Sequence, residues 1–190
     1  MRPSPTVIAR RGFSLIEMLI VVVMIGILLA IVVPRFRVSA STQARQAADQ
    51  LVRDLETARS RALASRSIAR VAFNVAARSY TGYLDANRDG VLGQTAAETA
   101  ALSVFRTRAL ETSVKMGRNA APALPGYAGA GAVTLPSTRI DFDSRGLTTP
   151  LGTKGVIYIV ATSDTTQIAA VSISGAGGIQ AWVYRGGVWQ

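Results

Sequence analysis

The sequence predicts an α+β chain, a long N-terminal helix packed on an antiparallel β-sheet domain. Three observations point there. Residues 13–33 form an almost unbroken apolar run. Ala44, Ala48, Leu51, Leu55, Ala58 and Ala62 then recur at three- and four-residue spacing, the period of a helix with one apolar face. After Arg66 the pattern changes to alternation and short β-branched runs.

Residues 1–12 read as a short basic leader. Arg2, Arg10 and Arg11 stand there without an acidic residue, which predicts a cytoplasmic N-terminus and an exported remainder. A cleavable secretory signal places a small-residue cut site after its apolar core. Here the small residue, Gly12, comes before that core. Cutting after Gly12 would leave the apolar segment in the mature chain and create a free amine on Phe13.

As a helix, residues 13–33 would extend roughly 32 Å, enough for a hydrocarbon core of about 30 Å. They are the expected transmembrane half of the helix. Glu17 is the exception inside this run. A charge at a membrane centre costs about 2.5–3.5 kcal/mol on insertion scales, and less near the interface. Glu17 lies one helical turn from Phe13, so a carboxylate and a new amine could neutralise each other, within one chain or between neighbouring helices.

Pro34 removes a backbone donor and is the expected kink. Gly26 is a second weak point. Residues 34–66 form the amphipathic half, its apolar stripe turned to a sheet. Arg45, Asp49 and Arg53 follow each other at i+4 on another face and are expected to pair. One helix is expected from about residue 13 to about residue 65, softened near Pro34.

Residues 67–190 are the expected β-rich domain. Val71, Phe73 and Val75 alternate, as do Ile140 and Phe142 with Asp141 and Asp143. Residues 155–161 are an apolar β-branched run. Residues 167–174 and 179–184 flank Gly175-Ala176-Gly177-Gly178, a hairpin turn. Residues 119–136, rich in Ala, Gly and Pro, read as a loop.

Composition narrows the function. The chain has 190 residues, no cysteine and no histidine. Disulfides and thiol chemistry are excluded, and so is the commonest general base and metal ligand. The formal charge is +10 and is carried almost wholly by arginine, since Lys115 and Lys154 are the only lysines. That balance suits acidic partners such as nucleic acid or lipid headgroups, or simply a soluble basic surface. No nucleophile–base pair can be assembled. Lys154 reads as a solvated turn charge, and Asp141 and Asp143 as the solvent face of a strand. No enzyme is expected.

One motif suggests a cation. Asp85-Ala86-Asn87-Arg88-Asp89-Gly90 has the D-x-[DN]-x-[DN]-G spacing that sets Asp85, Asn87 and Asp89 around a glycine turn, as calcium requires. The twelfth loop position is Ala96 rather than glutamate, Glu98 lies two residues later, and Arg88 adds positive charge. The alternative is a polar turn between strands.

Gly12, Phe13 and Glu17, followed by Met18-Leu19-Ile20-Val21-Val22-Val23 and Pro34, resemble the type IV prepilin and pseudopilin signature. The resemblance implies a pilin-like fold and an inner-membrane protein with a cytoplasmic N-terminus and a periplasmic domain. It implies that prepilin peptidase cuts after Gly12 and methylates the amine of Phe13. It also implies that Glu17 aids docking into a filament built with other pilins or pseudopilins on an inner-membrane assembly platform.

A narrower resemblance, to GspH/FimT-like minor pseudopilins, rests on Ile140-Asp141-Phe142-Asp143-Ser144-Arg145-Gly146, on Thr148-Thr149 and on Val171-Ser172-Ile173-Ser174-Gly175. The helix carrying Leu51, Leu55, Ala58, Arg59 and Ala62, followed by Val71-Ala72-Phe73, also fits. It implies a low-abundance subunit that starts or caps a type II secretion pseudopilus or type IV pilus. Two alternatives accompany it: a DNA-binding minor pilin for DNA uptake, and a major pilin. The DNA-uptake members use a basic C-terminal hairpin. The comparable turn here, residues 175–180, has no arginine, and only Arg185 is near.

Overall fold

The structure, a computed structural model, describes residues 13–32, 39–92 and 104–190. The chain divides into an N-terminal unit, Met1–Val38, and a C-terminal unit, Ser39–Gln190. The first holds α1, Leu15–Val32. The second opens with α2, Ala40–Ser65. The expected single helix is thus seen as two described helices, and Pro34 lies outside the described residues.

Local chemistry sets both ends of α2. Ser39 is its N-cap, and its Oγ accepts from the Thr42 N–H at 3.3 Å. At the other end Arg66 turns into the left-handed region with φ of 52°, and the Ser67 N–H closes back on the Ala62 carbonyl at 3.3 Å. Every residue of the predicted stripe is buried. Of the predicted charge ladder, Arg45 reaches Asp49 at 3.8 Å, but Arg53 donates to Gln50 instead. Gln50 is i−3 from Arg53, so the two are neighbours on the helix surface.

Ten strands follow. They are β1 Ala69–Asn74, β2 Ser79–Leu84, β3 Phe105–Ala109, β4 Val114–Met116, β5 Arg139–Phe142, β6 Thr148–Thr149, β7 Gly155–Ala161, β8 Ile168–Ile173, β9 Ile179–Arg185 and β10 Val188–Trp189. They make two five-stranded antiparallel sheets. Sheet I runs β3-β2-β1-β5-β6 and sheet II runs β10-β9-β8-β7-β4. Val75, expected to continue the alternation of β1, lies in the turn beyond it.

Both sheets face α2. Its Ala44, Ala48, Leu51, Leu55, Ala58 and Ala62 share one core with Val71, Phe73, Ile140 and Phe142 of sheet I and Ile157, Ile159, Val171 and Ile173 of sheet II. Small alanines let the helix approach closely, and Leu51 and Leu55 fill the space between.

Sheet II is buried on its second face as well. Its alternate residues Val156, Tyr158 and Ala170 pack with Leu124, Tyr127, Trp182 and Trp189. The cover comes from the predicted loop at 119–136. The Leu124 N–H donates to the buried Tyr158 hydroxyl at 2.9 Å, and Trp189 Nε1 donates to the Pro122 carbonyl at 3.2 Å. Burial on both faces explains why β7 reads as a continuous apolar run rather than an alternation. Lys154 is exposed as expected, and its Nζ is tied to the Gly126 carbonyl at 3.1 Å.

Candidate functional site

The α1 segment begins with two non-helical residues, Phe13 and Ser14. Ser14 caps it. Its Oγ accepts from the Glu17 N–H at 3.2 Å, and its carbonyl accepts from the Met18 N–H at 3.2 Å. Ser14-Leu15-Ile16-Glu17 has the S-x-x-E spacing of a capping box, which places Glu17 at the third helical position. There the carboxylate meets the positive end of the helix dipole. Glu17 thus has a local reason to stand in this segment, beside the partner amine that the sequence suggested. The signal for it was legible in the spacing from Ser14.

The 18 described residues of α1 extend about 27 Å. Among the described residues, no helix is long and apolar enough to cross a membrane.

The described side chains of α1 are exposed. Phe13 is 77% exposed and Leu15 86%, and Ile16, Leu19, Val22, Val23, Met24, Ile27, Leu28 and Ile31 are all at least half exposed. A helix that is apolar all round has no solvent face to present. Gly12 lies outside the described residues.

The two carboxylates singled out in the sequence, Asp141 and Asp143, are held by the structure of the domain itself. Asp141 was expected on a solvent face, and the structure corrects this: it is buried. It stands opposite Arg70 in the β1–β5 register, and Arg70 Nε and Nη2 donate to its two oxygens at 2.7 and 2.8 Å. That bidentate hydrogen bond raises the Arg70 pKa further above its already high value. Asp143 caps its own turn. Its Oδ1 accepts from the Arg145 and Leu147 N–H groups at 2.8 and 3.0 Å, and its Oδ2 from the Arg145 guanidinium. Burial opposes ionisation of Asp143, but these donors together hold its pKa below the ordinary carboxylate value.

Asp54 went unnoticed in the sequence. It sits on the buried face of α2, where its Oδ2 accepts from the Tyr80 hydroxyl at 2.7 Å and meets Arg108 Nε at 3.2 Å. Gln50 Nε2 donates to Oδ1 at 3.2 Å. The available signal was a lone carboxylate at i+3 from Leu51 and next to Leu55.

The residues that carry the narrower resemblance meet in space. Arg59 of α2 donates from Nε to the Gly146 carbonyl at 3.0 Å, and Thr148 Oγ1 donates to the Gly175 carbonyl at 2.8 Å. An added Cβ at Gly177 would collide with that Gly146 oxygen. The turn after β5 and the turn after β8 therefore close on each other beneath α2, at the junction of the two sheets. Their residues hold the architecture together.

At the calcium-like motif, Asp85 is buried while Asn87 and Asp89 are exposed. Ala96 and Glu98 lie outside the described residues.

Residues 9–33 match the family described as the prokaryotic N-terminal methylation motif. Two similar solved structures are the type IV minor pilin FimU of Pseudomonas aeruginosa and the minor pseudopilin EpsH from the type 2 secretion system of Vibrio cholerae. FimU is 19% identical, with 77% of this chain and 92% of that one covered and a TM-score of 0.49. EpsH is 13% identical, with 74% and 97% covered and a TM-score of 0.49. No curated protein matches the chain.

Proposed function

We propose that this chain is a minor pilin-like subunit that starts or caps a type II secretion pseudopilus or a type IV pilus. The match of residues 9–33 to the N-terminal methylation motif carries this reading. Prepilin peptidase cuts after Gly12 and the amine of Phe13 is methylated. Before assembly the apolar segment is held in the inner membrane with its N-terminus in the cytoplasm. After assembly it lies against the same segments of neighbouring subunits.

Two observations support this. The described large apolar side chains of α1 are exposed, and such a surface calls for lipid or another subunit. Glu17 sits on the first helical turn, two residues past the start of α1 and four past Phe13. Its side chain is therefore free to neutralise the amine of an adjacent subunit while its own N–H stays capped by Ser14.

The test is co-expression with a prepilin peptidase, followed by mass spectrometry of the N-terminus and recovery of sheared filaments. The wild-type chain should begin at a methylated Phe13. Glu17→Ala should be cut and methylated equally but fail to enter filaments. A chain that keeps residues 1–12 beside active peptidase would overturn the processing step. Normal incorporation of the Glu17→Ala chain would overturn the docking role.

A further inference from the structure

We infer that the turn after β2, residues 85–91, is a low-affinity site for a divalent cation of calcium's size and hardness. The argument begins with Asp85. It is 2% exposed, its N–H is fixed to the Ile68 carbonyl at 2.9 Å, and its Oδ2 accepts from the Gly90 N–H at 3.0 Å. That bond turns the carboxylate into the turn. Its Oδ1 is also buried and has no hydrogen-bond partner. A buried carboxylate oxygen without a donor is costly, and a cation would satisfy it.

The rest of the turn supplies more oxygen. Asn87 Oδ1 accepts from the Asp89 N–H at 3.2 Å, and Asp89 Oδ1 accepts from the Val91 N–H at 2.8 Å. Each such bond occupies one lone pair and leaves another. Asn87 Nδ2 donates to Asp89 Oδ2 at 2.8 Å, which keeps the two side chains together. Gly90, with φ of 79°, makes the sharp turn that brings position six back over Asp85.

Arg88 was the objection in the sequence, and its placement answers it. With φ of 59° it leaves the turn, and its Nη2 donates to the Ser65 carbonyl at 3.1 Å, at the C-terminal end of α2. Its charge is spent on the negative end of that helix.

The donors are all hard oxygens, which favours calcium or magnesium over zinc. Magnesium demands near-octahedral geometry, whereas calcium accepts an irregular set completed by water. Among the described residues, no three Asp, Glu, His or Cys side chains gather around one point. Two carboxylates and one amide oxygen therefore place the affinity in the millimolar class.

The test uses the full chain in detergent micelles, melted with the fluorescence of Trp182 and Trp189 as the signal. Calcium at about 10 mM should raise the melting temperature by about 3 °C over a chelator control. Magnesium should give less. Asp85→Asn and the exposed Asp89→Asn should each remove the calcium shift. If Asp85→Asn fails to fold, Asp89→Asn decides alone. An unchanged melting temperature in the wild type, an equal shift in the variants, or equal shifts with both ions would overturn the assignment.

Discussion

The two helices of this protein are built on opposite plans. α1 is apolar on every face, and its described side chains are exposed. α2 is apolar on one face only, and that face is buried against two sheets. The difference teaches where each helix keeps its partner. α2 is paid for by residues of its own chain, as helices in folded proteins usually are. On the function proposed above, the partner of α1 is lipid or another subunit. Substitutions should therefore divide cleanly between the two helices, affecting stability in one and assembly in the other.

The largest expected effect breaks the α2 side. Leu51 and Leu55 are fully buried. Leu55→Ala should destabilise the β domain by about 2–5 kcal/mol in urea denaturation, through lost apolar contact and the cavity left behind. Leu19→Ala, on exposed α1, should change the same measurement by less than about 0.5 kcal/mol. Equal losses would end the contrast.

Next in size is the Arg70–Asp141 pair. Both side chains are mostly buried, at 19% and 11% exposure. Arg70→Met should cost about 2–4 kcal/mol, because Asp141 is left buried without its bidentate donor. The double variant Arg70→Met/Asp141→Leu should recover most of that loss. A thermodynamic double-mutant cycle measures it.

A pH test sharpens the role of Asp54. Burial raises the pKa of the Tyr80 hydroxyl, and its hydrogen bond to Asp54 raises it further. The folded value thus lies above the unfolded value of about 10. The stabilisation is complete below that pH and is lost as pH rises toward the folded value. Wild-type stability should fall between about pH 9.5 and 11.5 more steeply than that of Tyr80→Phe, followed by denaturation at each pH. Parallel curves would show that the hydroxyl is not linked to folding.

The smallest effect is at the helix end. Arg66 holds φ of 52°, a conformation that costs a non-glycine residue about 1 kcal/mol. Arg66→Gly should stabilise the domain by up to about 1 kcal/mol, seen as a higher urea midpoint.

Much of this could be read from the chain because the signals are local. The stripe from Ala44 to Ala62 and the β-branched run of β7 state their periods within a few residues. Ser14 and Glu17 are three apart, so even the cap of α1 is written in neighbouring positions. Asp141 was misread for a physical reason. Alternation with Ile140 and Phe142 says which residues share a face, but it cannot say that the opposite face is closed by an arginine from another strand.

By itself the sequence determined the apolar segment, the one-sided helix after it and the change to β structure. Those properties depend on side-chain periodicity over one or two turns or one strand. Only the tertiary structure decided which polar groups are buried and with whom. Tyr80 lies 26 residues from Asp54, and Asp141 lies 71 from Arg70. Such partners are chosen by strand register and by the packing of α2 on two sheets, and no local pattern encodes either. The same holds for the two glycine turns that close on each other under Arg59, which look like ordinary punctuation until the sheets are brought together.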